Sequence, residues 1–481
     1  MAFHLITSNR LEELAKHCCQ IFKEDPLPPM CPELIVVQSI GMRQWFSTQM
    51  SRELGVWSNF DYLFPNRLTS LIIKSFYRDI PDERFFDKDI FTWKVMKFLR
   101  EHRNDNLYKE IISYIDGDDK NIREYQISYR IADTMDQYIT FRPDMILRWG
   151  KGNISQDEKW QGNLWKEITA NMAVKNPALL LKEIFDSLLD NSARVEDFPK
   201  RITCFGISYL PLFHLNLLRA ASFFCDVYFY MLNPCKEEWM NLSTEKEISN
   251  IYRRESEKYA RKLITGEDFE ELQHIDRGNS LLASWGRSGR DFLNFLYISS
   301  QELVLKEYFD DFESFVNLTL LHKIQQDILF MANRRELNDN HQEEIKADSS
   351  ITINSCYSPM REMEVLRDYI LDLFNNNHDL APQDIVVMTP DIESYSGYIQ
   401  GVFGATEEGI PLIPFSIIDR KLISESPVIT AFFKILSIDD SRFSASEVLS
   451  LLMYEPIAMK FNFSSDDVEK ISLWVRESNI F

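Results

Sequence analysis

The chain of 481 residues is poor in glycine, with 15, and poor in cysteine, with seven. Its 53 Lys and Arg are outnumbered by 74 Asp and Glu. Average glycine usage of about 7% would give more than double that count. The shortage excludes β-propellers and other folds with many glycine turns, and a chain rich in glycine phosphate loops. The cysteines are odd in number and form no CxxC or Cys/His ligand spacing, which excludes a disulfide scaffold and speaks against a zinc site. They read as small buried hydrophobes in a reducing compartment. A formal net charge of −21 excludes a protein that coats DNA by bulk attraction, because such binding needs a basic surface to displace counterions. A local nucleic-acid site stays open. No run reaches the roughly 18 apolar residues of a membrane span. Met1 to Arg10 has no basic stretch followed by an apolar one, so the expectation is a cytoplasmic protein with no membrane partner.

What is present is ample core: 45% hydrophobic and 13% aromatic residues in a length that suggests two to four domains. His4 to Thr7 reads as a strand, with Ser8 as the N-cap of a helix carrying Leu11, Leu14, Ala15, Cys18, Cys19 and Phe22 at helical spacing. Leu34 to Val37 is a β-branched run of the kind buried in parallel sheets. A turn, Gln38-Ser39-Ile40-Gly41, leads into a helix from about Met42 that stops at Gly55. Strands follow at Ile202–Ile207 and Asp226–Met231, around a helix after Pro211. Residues from about 65 to 195 read as mostly helical. After a polar stretch the rhythm restarts, with strands predicted at Ile351–Cys356 and Ile385–Met388 and a short extended run at Phe415–Ile418. Helices are predicted at Met360–Phe374, at Ile392–Phe403, from Ser426-Pro427 to Leu436, and after a Ser444/Glu447 capping box.

The expected fold is therefore α/β, with two parallel-sheet domains, the first carrying a large helical insertion. The first spans 1–348: an α/β core over about 1–64 and 196–333, the insertion over about 65–195, and a linker at 334–348. The second spans 349–481.

Two α/β domains in series invite a nucleotide-driven motor, and the chemistry for one is missing. There is no GxxxxGK[ST] loop and no acidic pair after a later strand to hold magnesium. Thr7-Ser8-Asn9-Arg10-Leu11 stands where the glycine loop would sit, and Phe205-Gly206-Ile207-Ser208 leaves its strand without a carboxylate. Gly286 to Gly289 lacks a lysine. HExxH and GxSxG are absent, and Asp116-Gly117-Asp118-Asp119 has its glycine in the wrong place for a calcium loop. No ATPase or nuclease site, no metal and no cofactor are expected in this chain.

Two surfaces can address unpaired bases. Gln38, Ser39 and Gln44 put amides and a hydroxyl at the carboxyl end of a parallel sheet, where open α/β folds bind ligands. In the insertion, Asp133, Asp136 and Gln137 share one helical face, with Arg142 nearby and Ile131, Met135 and Tyr138 on the opposite, core-facing side. Such groups match donors and acceptors on base edges. The plainer alternatives are a cap or turn for the first and a solvated helix face for the second.

The chain resembles the N-terminal part of the RecC family, the gamma subunits of the RecBCD exodeoxyribonuclease V. The resemblance rests on Ser8-Asn9-Arg10-Leu11, Val37-Gln38-Ser39 with Gly41-Met42 and Gln44-Trp45, and Asp136-Gln137-Tyr138 with Arg142-Pro143-Asp144. Gly206-Ile207-Ser208, Asn233-Pro234-Cys235 and the specific run Gly278-Asn279 through Leu281-Leu282-Ala283-Ser284-Trp285-Gly286 to Gly289-Arg290-Asp291 extend it. Ser358-Pro359 with Arg361-Glu362, and Asp419-Arg420, complete it. It implies domains like those of superfamily-one helicases with decayed ATP motifs, in a non-catalytic subunit of an ATP-dependent complex. It implies RecB and RecD as partners, with ATP and magnesium used by those partners, in double-strand break repair and homologous recombination. Duplex ends and single-stranded DNA are the implied substrates, the strand guided through a tunnel and the Chi hotspot read by Gln38, Gln44, Asp133, Asp136, Gln137 and Arg142. A purely structural scaffold holding the RecB motor is the alternative. Family members are more than twice this long, so the nuclease-like domain is expected beyond Phe481. Ile40, Phe64, Ser70 and Thr134 depart from the family pattern, which implies a different or lost hotspot sequence. A basic contact expected near Leu180–Phe185 has no counterpart.

Overall fold

The computed structural model describes residues 1–77, 87–117, 120–170, 176–190, 195, 198–244, 246–250, 253, 256, 278–298, 303–310, 318–333, 348–405, 412–418, 426–438 and 444–478. The described chain forms two compact units, Met1–Ile351 and Thr352–Phe481.

The first unit is built on one parallel sheet. Its strands are β1 (Phe3–Ser8), β2 (Glu33–Val36), β3 (Phe60–Leu63), β4 (Arg201–Phe205), β5 (Asp226–Leu232) and β6 (Leu303–Tyr308), in the spatial order β3-β2-β4-β5-β1-β6. The two edge strands, β3 and β6, lie outside the predicted elements. Helices α1 (Leu11–Glu24) and α2 (Ile40–Leu54) belong to the crossovers running toward β3. Helices α3 (Pro65–Phe76) through α9 (Pro177–Leu189), and then α10 (Leu212–Ser222), belong to crossovers running the other way. Right-handed crossovers in opposite directions place their helices on opposite faces, and the core divides accordingly. On one face Ile6, Ile35, Val37, Phe205 and Tyr230 meet Leu14, Cys18, Phe46 and Met50. On the other, Leu5, Val36, Ile202, Val227 and Phe229 meet Leu68, Ile72, Leu181, Ile184, Leu217 and Leu218. Central strands buried on both faces explain the continuous apolar runs of the sequence. Cys18, Cys19, Cys204, Cys225 and Cys235 are buried, and desolvation raises their thiol pKa values.

Between β3 and β4 the chain is helical: α3, α4 (Lys88–Glu101), α5 (Lys109–Ile115), α6 (Lys120–Phe141), α7 (Pro143–Gly150), α8 (Lys159–Ala170) and α9. Much of this segment has a core of its own, with Phe91, Val95, Phe98, Met135, Trp149, Leu164 and Trp165 buried together. Helix α6 packs on α4, and also on α10 of the sheet layer.

Some local readings need correction. Arg10, not Ser8, is the N-cap of α1, and the Ser8 hydroxyl accepts from the Arg10 N–H at 3.0 Å. Helix α2 starts at Ile40, two residues earlier than predicted, because Ser39 caps it. Gly286 stands at the junction of helices Ser280–Trp285 and Arg287–Ile298, and Gly289 lies within the second of them. The linker at 334–348 lies outside the described residues except for Asp348, whose carboxylate accepts from Leu320 N–H at 2.8 Å. Asp118, Asp119, Asp419 and Arg420 also lie outside them.

The second unit, among the described residues, is helical and contains no sheet. Helices Pro359–Asn376 and Ile392–Phe403 pack around Met363, Ile370, Val402, Phe403 and Ile413. Ser358 caps the first of them, and Ser444 with Glu447 forms the predicted capping box. The second parallel sheet is not formed: Ile351–Cys356, Ile385–Met388 and Phe415–Ile418 are not strands. An apolar run becomes a strand only when a neighbour takes its backbone hydrogen bonds. Among the described residues none does here, and Ile353 and Met388 are 91% and 88% exposed.

Candidate nucleic-acid interface

The carboxyl end of the sheet has a crevice wherever neighbouring strands send their chains to opposite faces. One lies between β2 and β4, which are parallel neighbours with Val36 opposite Cys204. Beyond β2, Gln38 projects across this crevice and its side-chain amide donates to the Tyr209 carbonyl. Ser39 follows as the N-cap of α2, its hydroxyl accepting from Met42 N–H at 3.1 Å. The cap reading of this turn therefore describes Ser39 and leaves Gln38 and Gln44 as candidates. Gly206, at the end of β4, has φ +64°, and a Cβ there would stand 2.8 Å from the Met42 methyl. The left-handed backbone favours glycine here, and the Met42 side chain of α2 packs over the position.

Gln44 is exposed one turn further along α2. It lines a shallow groove of about 440 Å³ with Ile40, Arg43, Ser47, Thr48 and Ser51. The groove wall is held in place from below: the Ser47 and Tyr62 hydroxyls are 2.7 Å apart, and the Arg43 guanidinium lies 5.2 Å from the Tyr62 ring centre. Sequence reading found Gln44 but not the other lining residues. Gln44, Ser47 and Ser51 recur at the spacing of one polar helical face, with the exposed Ile40 at its start, a pattern legible in the sequence.

In the insertion, α6 presents Asp133, Asp136 and Gln137 outward and buries Ile131 and Met135, with Tyr138 partly buried, as the periodicity predicts. The three polar residues differ in their circumstances. Asp133 pairs with the Lys88 ammonium of α4 at 3.2 Å and accepts from the Gln137 amide at 3.1 Å. Asp136 has no such partner among the described residues, and desolvation, then the charge of Asp133, hold its carboxyl above the ordinary carboxylate range. Arg142 is the N-cap of α7 and its side chain is exposed. No hydrogen bond or ion pair joins Arg142 to Asp136 among the described residues. Nor does any hydrogen bond or ion pair, among the described residues, join the Gln38–Gln44 set to the Asp133–Arg142 set.

A second crevice lies between β1 and β5, where a phosphate loop would sit. At the end of β1, on its β6 side, the Asn9 side chain both donates to the Asp310 carbonyl and accepts from the Asp310 N–H, each at 2.9 Å. Arg10 pairs with the Asp310 carboxylate. The amide and guanidinium that could meet phosphates are thus engaged with Asp310 beyond β6, the amide with its backbone and the guanidinium with its carboxylate. Among the described residues no cluster of three or more His, Cys, Asp and Glu is placed to hold a metal ion, and no helix is long and apolar enough to cross a membrane.

Comparison with known proteins agrees with the resemblance. Residues 3–331 match the family model for RecC, N-terminal domain, and residues 425–481 that for the RecBCD enzyme subunit RecC fourth domain. The RecBCD enzyme subunit RecC of Escherichia coli strain K12 is 33% identical over 98% of this chain and 44% of its own length. That of Haemophilus influenzae is 31% identical over 99% of this chain and 46% of its own length. That of Mycolicibacterium smegmatis is 27% identical over 100% and 43%. The chain thus spans less than half the length of these relatives. With the family model covering more than half of its residues, the chain belongs to the RecC family.

Proposed function

We propose that the chain is the DNA-handling part of a non-catalytic subunit in a RecBCD-type complex, with RecB and RecD as partners. It guides single-stranded DNA from duplex ends and reads a recombination hotspot. The single observation that carries this is the exposure of Gln44, Asp136, Gln137 and Arg142 on two ordered surfaces. Amides and carboxylates so placed can exchange hydrogen bonds with base edges, while Arg142 meets phosphate. Gln38, Ser39 and Asp133 stand beside them, Gln38 with one amide hydrogen and its oxygen still to offer. The decayed motor reading is supported by the clamp at Asn9, Arg10 and Asp310: it ties up the residues that follow β1 and sets a carboxylate beside them, which repels the phosphates a motor must cradle there. No cofactor is assigned to this chain.

The test is hotspot response in the assembled complex carrying Gln44→Ala or Asp136→Ala, on hotspot and scrambled DNA. Each lost base contact is worth about 1–3 kcal/mol of discrimination, so each variant should lose roughly five- to hundredfold in preference while unwinding continues. An undiminished preference in both variants would overturn base reading and favour the scaffold alternative.

A further inference from the structure

The stripe of α6 that ends in Asp133 and Gln137 continues toward the helix N-terminus as aromatic residues. Tyr125, Tyr129, Asp133 and Gln137 recur every four residues, so they lie in one row, about 6 Å apart along the axis. Tyr125 and Tyr129 have ring centres 6.4 Å apart, and Trp93 of α4 meets Tyr125 at 5.6 Å. Trp93 is 58% exposed and Tyr125 42%. The Lys88 ammonium lies 4.3 Å from the Tyr129 ring centre and donates to its hydroxyl at 2.6 Å, while also pairing with Asp133. One cation therefore joins the aromatic part of the row to the polar part.

Three rings on a helix pair, two of them substantially exposed, are unusual in a surface that gains nothing from exposing them to water. Their tilts, 48° and 33°, keep them from stacking flat on one another, and the exposed Trp93 and Tyr125 offer ring surface to a further planar partner, with Lys88 over Tyr129 at the end of the row. Every base offers such a face, whatever its identity. From Tyr125 to Gln137 the row covers about 18 Å, room for roughly five nucleotides at about 3.4 Å each.

We propose that Trp93, Tyr125 and Tyr129 form a stacking platform for the bases of single-stranded DNA, continuous with Asp133 and Gln137, which holds the strand in register while those residues read it. The proposal rests on the function proposed above but gives these rings a role of their own, affinity without sequence preference. Lys88 serves both parts, steadying Asp133 and adding positive charge beside the strand.

The experiment uses the assembled complex with Trp93→Ala, Tyr125→Ala, and the conservative Trp93→Phe and Tyr125→Phe. Binding of single strands of scrambled and hotspot sequence is measured, together with the fluorescence of a base analogue placed at successive positions. Each alanine variant should weaken binding of both sequences equally, by about five- to hundredfold, and abolish quenching at one or two positions; the phenylalanine variants should retain most of both. If the hotspot preference of Gln44→Ala and Asp136→Ala stays normal while the alanine variants here lose affinity, base reading fails and the platform stands. If the alanine variants bind single strands normally, the platform is overturned. If they bind normally but assemble poorly, the rings are instead a protein-docking face and the proposal is equally overturned.

Discussion

Arg201, 3% exposed, opens β4 beside Glu33 of β2, and its guanidinium donates to both carboxylate oxygens, one of them at 3.1 Å. It also donates to the Asp25 carbonyl at 3.1 Å and lies beneath the Phe22 ring, 5.1 Å from its centre. A buried pair of this kind gains little over an apolar pair of the same volume, but breaking it strands a charge. Glu33→Ala or Arg201→Ala should therefore cost about 3–5 kcal/mol, read as a large fall in the urea midpoint of the first unit. The double replacement Glu33→Leu with Arg201→Met should recover most of that loss. Equal damage from single and double variants would show that the ion pair itself, not the stranded charge, stabilises the sheet. Neither residue drew notice in the sequence, because Glu33 and Arg201 each open an apolar strand and their pairing is 168 residues apart.

Helices α3 and α10 meet at a polar contact inside an apolar layer. The Thr69 hydroxyl donates to the Pro65 carbonyl at 3.1 Å, so at 2.8 Å it accepts from the His214 Nδ1–H. Burial pushes the His214 imidazole down to about 4 from its usual 6.5. The folded state thus binds fewer protons than the unfolded chain between those values, and stability must rise with pH across that window. The contribution is complete above about 6.5 and is lost as pH falls toward 4, on the order of 2–3 kcal/mol. His214→Gln should flatten the dependence of melting temperature on pH between 6.5 and 4; an unchanged slope would mean that the ring is protonated in place. The same scale shows what patterning makes legible. Strands β2, β4 and β5 are interior and read as apolar runs, whereas β3, with Asp61, and β6, with Lys306 and Glu307, are edges whose solvated side breaks the run. Conversely, Ile385–Met388 has an interior strand's composition and no neighbouring strand among the described residues. For the site, helical period exposed Asp133, Asp136 and Gln137, but Lys88, 45 residues away, is joined to them only by the packing of α4 on α6.

At the scale of the whole chain, a net charge of −21 sits with a reading in which a strand is addressed by amides, carboxylates and rings rather than by a basic lining. Few phosphate contacts mean little counterion release, so the affinity comes from contacts that are short and local. Such contacts need a rigid support, and rigidity is unevenly distributed here. In the first unit, strands β1, β2, β4 and β5 are buried on both faces and carry ladders on both sides. The second unit buries a small cluster around Met363 and Phe403 and leaves Val386, Val387 and Met388 in solvent. Local opening is easiest where few apolar contacts and no ladder oppose it. Hydrogen exchange on this chain should therefore protect the amides of 34–36, 202–205 and 227–231 longest. The amides of 385–388 should exchange fastest among these, by several orders of magnitude. Binding of a single strand should slow exchange in α2 and α6 and leave 385–388 untouched, because the proposed contacts all lie in the first unit. Protection appearing at 385–388 on strand binding, with none in α2 or α6, would move the DNA interface to the second unit and remove the basis for both surfaces.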